Sequence, residues 1–585
     1  MKQFSRQKHY LAFHAVVVTL FVSAAAHARQ NPCEGMLVPD VYALNIVPNI
    51  KPQVVTTRPA LSSPGVVDSW LHLGRRAVAD PDFKTLSDLE RRPLTEAQKM
   101  ALIAEAKADR RALYDELVAK GMDKKEAARV VQTPYSRQVI AGLYQEETGL
   151  VPYKGGLIRP RLRLAPASET HGLDLEKAGA AFVHVEKTWS DLARQSPASS
   201  EGSLIPAPFP FLVAGGRFRE AYYWDAYFGA IGLVQTGRWE MAAAQLENML
   251  HMIQVYGLIP NGFRDYYLTR SQPPVIALYA MLIYENAPAS IPKEKLREWL
   301  LKRVYPLLSQ DYNDFWMTQR YDPETGLNFH SDAQNRMRPE RHSNDDERAL
   351  GETFRDVPRG GRERPGSTRM PPWGVLARGF GDAQQLFVLL REYPREAGRA
   401  AGDEITADRY RLLRERRRAA MNRYNWDAKD GVFRNYHLRD RRQGEVVSAE
   451  MYAAMYVGLA SKVQARRMVS FGEKFLERKG GLRSSTVDSG KQWDGVHGWA
   501  PFHMMAIEGA RGYGFLDTAK RWTVKWTVAL SEIFWRTGNF YEKIDVEKVA
   551  APHEDDSKYP TQTGFLWTNA SYVWALKFLG FDFRE

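Results

Sequence analysis

The chain has 585 residues, enough for a large core in one to three domains, and its 44% hydrophobic and 26% charged residues fit an ordinary globular protein. No internal run of about 18 apolar residues marks a transmembrane helix, and the single cysteine, Cys33, excludes an intramolecular disulfide. Much of the formal net charge of +12 sits in mixed runs such as Arg411–Arg418 with acids close by, which reads as solvated helix faces and not as a nucleic-acid surface. No Cys/His cluster has zinc spacing.

In chain order, Lys2, Arg6 and Lys8 precede an apolar stretch from Leu11 to Ala26, and Ala26-His27-Ala28 fits a cleavage box. Residues 1–28 are therefore expected to be a secretory signal peptide, cut after Ala28, with no membrane association afterwards. Cys33 does not follow the apolar run in a lipobox-like context, so no lipid anchor is read. Residues 29–100 are irregular and rich in proline, and residues 94–147 hold helical, charge-rich sequence such as Gln98–Lys120. We take 29–175 as an N-terminal extension that packs on a catalytic domain of residues 176–585. From about Glu176 onward, helical segments alternate with loops rich in Gly, Pro and Asn. In Trp239–Tyr256, Leu246, Met249, Leu250 and Ile253 recur at helical spacing, Gly257 supplies a stop, and Ile259-Pro260-Asn261-Gly262 makes the next turn. Alternating strands are scarce. The pattern predicts an all-α toroid of helix pairs whose loops at one end carry the site.

The densest chemistry lies in Ala214–Phe228, AGGRFREAYYWDAYF. Two glycines give a tight turn before Arg217, and Tyr222, Tyr223, Trp224 and Tyr227 surround Asp225. Sugars have apolar faces and polar rims, so aromatic platforms beside Arg and Asp suit them. Composition leaves a second reading equally open, an aromatic-rich core helix with a buried ion pair.

This segment resembles the first signature of the trehalase family, Gly-Gly-Arg-Phe-x-Glu-x-Tyr-x-Trp-Asp. Further blocks resembling the family follow in order: Ile259–Arg264, Tyr266–Pro274, Arg338-Pro339-Glu340, Asn422–Tyr436, Gln492–Pro501 (with Val496-His497 in place of the family's Pro-Asn) and Phe565–Asn569. The similarity covers roughly residues 75–95 and 176–580. It implies an (α/α)6 barrel that hydrolyses α,α-trehalose to two glucose molecules with inversion, without a metal and with no cofactor. It also implies that Arg217, Trp224, Asp225, Asn261, Arg270, Gln272, Arg338 and Glu340 hold the two glucosyl rings, with Ser271 adding backbone or hydroxyl contacts. The expected partner is the disaccharide alone, the expected state a monomer, and the expected compartment the periplasm.

Inversion needs two carboxyl groups, roughly 6.5–9.5 Å apart, on opposite sides of the glycosidic bond. The family's base lies in a Glu-Lys-Tyr element, which here reads Glu542-Lys543-Ile544 and implies Glu542 as the base. The family's acid is an Asp expected near residue 365. Pro365 stands there, so no acid carries over, and the similarity lapses over about 357–395. Asp356 and Glu363 are the nearest carboxyls to take the part. The family's glycine-rich lid followed by Glu-Tyr is replaced by His553–Tyr559, with Lys558 in the place of the Glu. The alternative is therefore a catalytically impaired descendant that binds a sugar and lacks the general acid.

Overall fold

The computed structural model describes residues 46–56, most of 150–330 and most of 404–584, with a few helical residues between 111 and 124. The first long helix, α1 (Leu175–Leu192), begins where Asp174 accepts hydrogen bonds from the backbone N–H groups of Glu176 and Lys177 at 3.0 and 3.2 Å. That cap satisfies two donors that no preceding turn can reach. One stripe of α1 is buried, through Ala178, Ala181, Phe182, Val185 and Trp189. Next come α2 (Tyr223–Gln235), α3 (Trp239–Tyr256) and α4 (Ile276–Glu285). As the sequence predicts, Gly257 ends α3 in the left-handed conformation, at φ 73°.

A longer helical stretch joins α5 (Lys293–Trp299) to α6 (Tyr305–Gln310) through a π-helical turn at Leu300–Val304, and a second π turn, Asp311–Trp316, follows. Beyond lie α7 (Glu404–Tyr424), the short α8 (Ala453–Tyr456), α9 (Lys462–Phe475), α10 (Ala500–Gly512), α11 (Leu516–Thr537) and α12 (Leu566–Phe578). Ser461 and Gln464 form a reciprocal capping box at the start of α9. The strands are two or three residues long and pair in small antiparallel sheets.

The helices sort into two layers. In α2, α10 and α12 nearly every residue is buried, as expected of helices apolar all round. In α9 only Ala465, Met468, Val469 and Gly472 are buried, the i, i+3, i+4, i+7 stripe of an outer helix. The inner helices follow one another in space as α4, α2, α12, α10 and α8, while α1 and α11 pack on one another outside them. Glycines let α2 and α12 approach closely: a Cβ at Gly229 would lie 2.7 Å from Leu566 Cγ, and one at Gly232 2.7 Å from Ala570 Cα. The hydroxyl of Tyr227 on α2 meets that of Tyr456 on α8 at 2.5 Å.

Parts of the chain that precede α1 lie against this body. Ile46, Val47 and Ile50 are buried in the main core, and Arg163–Ala165 pairs with Asp582–Arg584 near the C-terminus. The expected signal peptide, residues 1–28, lies outside the described residues.

Asp311, in the second π turn, is 3% exposed, and burial pushes its carboxyl up to about 7, partly offset by a hydrogen bond from Trp316. The folded chain then holds a proton between about pH 4 and pH 7 that the unfolded chain has released, so stability falls as pH rises through that window. Buried His251 and His503 are lowered to about 4, so their contribution falls instead as pH drops from 6.5 towards 4. Relative to the wild type, Asp311→Asn should remove a component of thermal stability that declines between about pH 4 and pH 7, so that the difference between the two proteins narrows or reverses across that window and is constant above it. An identical pH profile in the variant would show that Asp311 is ionised throughout.

Candidate active site

Among the described residues, Ala214–Phe228, Tyr266–Pro274, Gln492–Pro501 and Phe565–Asn569 each immediately precede, or open, an inner helix. The Gly215–Phe218 turn comes first. Gly215 and Gly216 have φ of 120° and 56°, the half of conformational space that side chains avoid. A Cβ at Gly215 would lie 2.8 Å from Gly564 O and one at Gly216 2.3 Å from Gln562 Oε1, so both positions also need the missing side chain. The turn nests on the strand-like segment before α12: Leu566 N–H donates to Ala214 O at 2.8 Å and Arg217 N–H to Gln562 Oε1 at 2.9 Å. The half-buried Arg217 guanidinium lies 5.0 Å from the Phe218 ring centre.

A buried ion pair then ties this signature to the next block. Glu220 is fully buried, accepts from the Tyr222 hydroxyl and lies 3.6 Å from Arg264 Nε, while Arg264 also donates to Ser203 Oγ at 2.8 Å. Main-chain bonds run alongside, from Phe263 N to Ala221 O at 2.9 Å and from Tyr223 N to Asn261 O at 3.2 Å. The signature therefore contains the buried ion pair that composition left open, at Glu220, with Arg217, Trp224 and Asp225 around it.

Trp224, Asp225 and Asn261 are 3%, 5% and 7% exposed. Asp225 sits in the first turn of α2, where the helix dipole favours a carboxylate. Gln272 caps that same helix, its Oε1 accepting from Trp224 N–H at 3.0 Å, so any hydrogen bond it gives a ligand comes from its amide nitrogen. Ser271 Oγ is 2.9 Å from Nδ1 of the buried His330, whose ring stands edge-on to Trp316. Arg270 is partly exposed, with its guanidinium 5.9 Å from the Tyr267 ring centre.

The candidate base lies against a wall of indoles. Trp493 stacks flat on Trp499 at 3.3 Å, and Trp224 and Trp567 each lie 6.2 Å from Trp493. Trp567 donates its ring N–H to Glu542 O at 2.9 Å, Thr568 donates to Tyr541 O at 2.7 Å, and Glu542 N–H donates to Gln562 O at 2.8 Å. Glu542 is thus anchored through its backbone on both sides. Its carboxylate is 5% exposed and lies 3.7 Å from the ammonium of Lys543, which is buried and lies 5.3 Å from the Trp499 ring centre. Ile544, which replaces the family's Tyr, is fully buried and pairs with Gly498, an environment that accepts an aliphatic side chain. The neighbouring departure, Val496-His497, keeps its main-chain pairing with Asp545 and Val546.

These contacts bring the segments that carry Arg217, Trp224, Asp225, Asn261, Ser271, Gln272 and Glu542 together, and Arg270 lies beside them. Arg338 and Glu340 lie outside the described residues, as do Asp356, Glu363, Pro365 and the 553–559 segment. Among the described residues no group of His, Cys, Asp and Glu could hold a metal ion. Sequence reasoning missed Arg264, Gln562, His330 and the stacking role of Trp493. It also gave Glu220 no part, although the signature pattern itself contained it.

The trehalase family model matches residues 165–360 and 386–580. The chain belongs to the trehalase family. The match lapses over 361–385, the stretch that holds Pro365. The periplasmic trehalase of Escherichia coli (strain K12) is 30% identical over 424 residues, covering 66% of this chain and 72% of that protein. The periplasmic trehalase of Shigella flexneri serotype 5b (strain 8401) is similar to the same extent. Among solved structures, a neutral trehalase from Saccharomyces cerevisiae superposes with a TM-score of 0.51 at 27% identity, over 63% of this chain and 73% of that one. The two helix layers are those of an all-α (α/α)6 barrel, as the sequence predicts.

Glu220 offers a direct test of the ion-pair core. Glu220→Ala leaves the Arg264 guanidinium buried without its counter-charge, which costs about 3–5 kcal/mol. We expect a lower urea midpoint at an unchanged slope. A loss below about 1 kcal/mol would show that the neighbouring hydrogen bonds suffice to hold the two segments together.

Proposed function

We propose that this chain is a periplasmic enzyme that hydrolyses α,α-trehalose to two glucose molecules with inversion of configuration. The observation that carries this reading is Glu542, a carboxylate fixed through its backbone on both sides and set into an indole wall beside the Gly-Gly-Arg turn. Family membership and trehalases at 30% identity support the choice of disaccharide. The indole faces of Trp224 and Trp493 suit the apolar faces of a glucosyl ring, while Arg217, Asp225, Asn261, Arg270, Ser271 and Gln272, with Arg338 and Glu340, suit its hydroxyl rim. No helix among the described residues is long and apolar enough to cross a membrane. The N-terminal signal sequence and the periplasmic relatives support export, and the protein acts as a monomer with the sugar as its partner.

In this mechanism Glu542, ionised, takes a proton from water as that water attacks the anomeric carbon from the face opposite the leaving oxygen. The wall of indoles excludes other water and strengthens the electrostatic interactions within the site. A second carboxyl group, for which Asp356 and Glu363 are the candidates, gives its proton to the leaving sugar. The domain division follows the same logic, with residues 29–175 packing on a catalytic barrel of residues 176–585.

The mature protein should release glucose from α,α-trehalose. Glu542→Gln should lower turnover by at least about 10²–10⁴-fold, while trehalose still raises the melting temperature of the variant through binding to the folded state. Wild-type turnover in the variant would remove Glu542 from the chemistry. Trehalose-induced stabilisation of the wild type without glucose release would make the chain the sugar-binding descendant.

A further inference from the structure

We propose that Gln562 is a positioning residue of the hydrolytic site, holding the Arg217 turn in a fixed relation to Glu542. The proposal rests on the reading of Arg217 as a substrate-binding residue and Glu542 as the base. Two hydrogen bonds make Gln562 a bridge. Its side-chain Oε1 accepts from the backbone N–H of Arg217 at 2.9 Å, and its main-chain carbonyl accepts from the backbone N–H of Glu542 at 2.8 Å. Two residues distant in sequence therefore hang from one buried side chain and its own peptide unit.

The sequence around Arg217 explains why such a tie is needed. Gly215 and Gly216 give the turn its left-handed backbone, and they also give it more conformational freedom than any other pair of residues. The acceptor at Gln562 fixes the Gly216–Arg217 peptide plane, and with it the direction in which the Arg217 side chain leaves the turn. Gly216 leaves the space that the amide fills, since a Cβ there would lie 2.3 Å from Oε1. On the other side, Glu542 is held by main-chain and indole bonds that do not involve the amide, so the side chain of Gln562 acts on the arginine and not on the base. Misplacing a group that orients substrate by about 1 Å can cost roughly 10²-fold in rate.

The test is a double-mutant cycle on the full mature chain with trehalose as substrate. Gln562→Met keeps the length of the side chain and removes the acceptor, and Gln562→Glu keeps an acceptor oxygen. Gln562→Met should lower kcat/KM by about 10–100-fold at an unchanged melting temperature, and Gln562→Glu should recover most of the loss. In an Arg217→Ala background, Gln562→Met should cost nothing further, because its effect passes through Arg217. Losses that multiply in the double variant, or wild-type kinetics in Gln562→Met, would overturn the proposal. Wild-type kinetics in Arg217→Ala would overturn the underlying reading of the site instead, and this proposal with it. Should Gln562→Met fail to fold, Gln562→Asn, which withdraws the acceptor by one methylene, carries the same expectations.

Discussion

The backbone contact between α2 and α12 governs the geometry of everything above it. Gly229 and Gly232 on one helix meet Leu566 and Ala570 on the other at distances that no side chain on the glycines would permit. Because each helix is rigid, the separation set there is transmitted to the segments that lead into them. One leads out of the Gly215–Arg217 turn and the other out of Gln562–Phe565, and these two segments touch directly. The second also accepts from Glu542 N–H at Gln562 O, and the first turn of α12 donates to Glu542 O and Tyr541 O. Small residues deep in the barrel thus fix the spacing between a candidate binding arginine and a candidate base.

Electrostatics follows the same plan. α2, α4, α10 and α12 all begin beside the site segments, so their N-terminal dipole ends point toward it. That field favours carboxylates such as Asp225 in the first turn of α2. Deeper charges are compensated in place: Glu220 by Arg264, and Lys543 by Glu542 and the face of Trp499. The site is built from charge that is costly to bury, and each buried charge is met by a partner or a dipole.

The fold was legible because helical periodicity and helix stops are local. The stripe in α3 and the stop at Gly257 are written in consecutive residues, and alternation between helices and Gly/Pro/Asn loops implied helix pairs. The candidate binding residues were legible for a different reason, through the resemblance of Ala214–Phe228 and its companion blocks to known signatures. What stayed hidden depends on residues far apart in sequence. His330 gains meaning only from Ser271, and Gln562 only from Arg217 and Glu542. Gln272 and Ser271 were expected to serve substrate, yet their side chains are also occupied in capping a helix and in meeting a histidine, which no spacing rule could reveal.

The paired hydroxyls of Tyr227 and Tyr456 join α2 to α8 from positions 229 residues apart in the chain, and burial holds both phenols protonated. Each hydroxyl satisfies the other, so two inner helices are tied together without a buried charge. The tie is therefore indifferent to acidity over the whole range in which carboxylates gain and lose their protons.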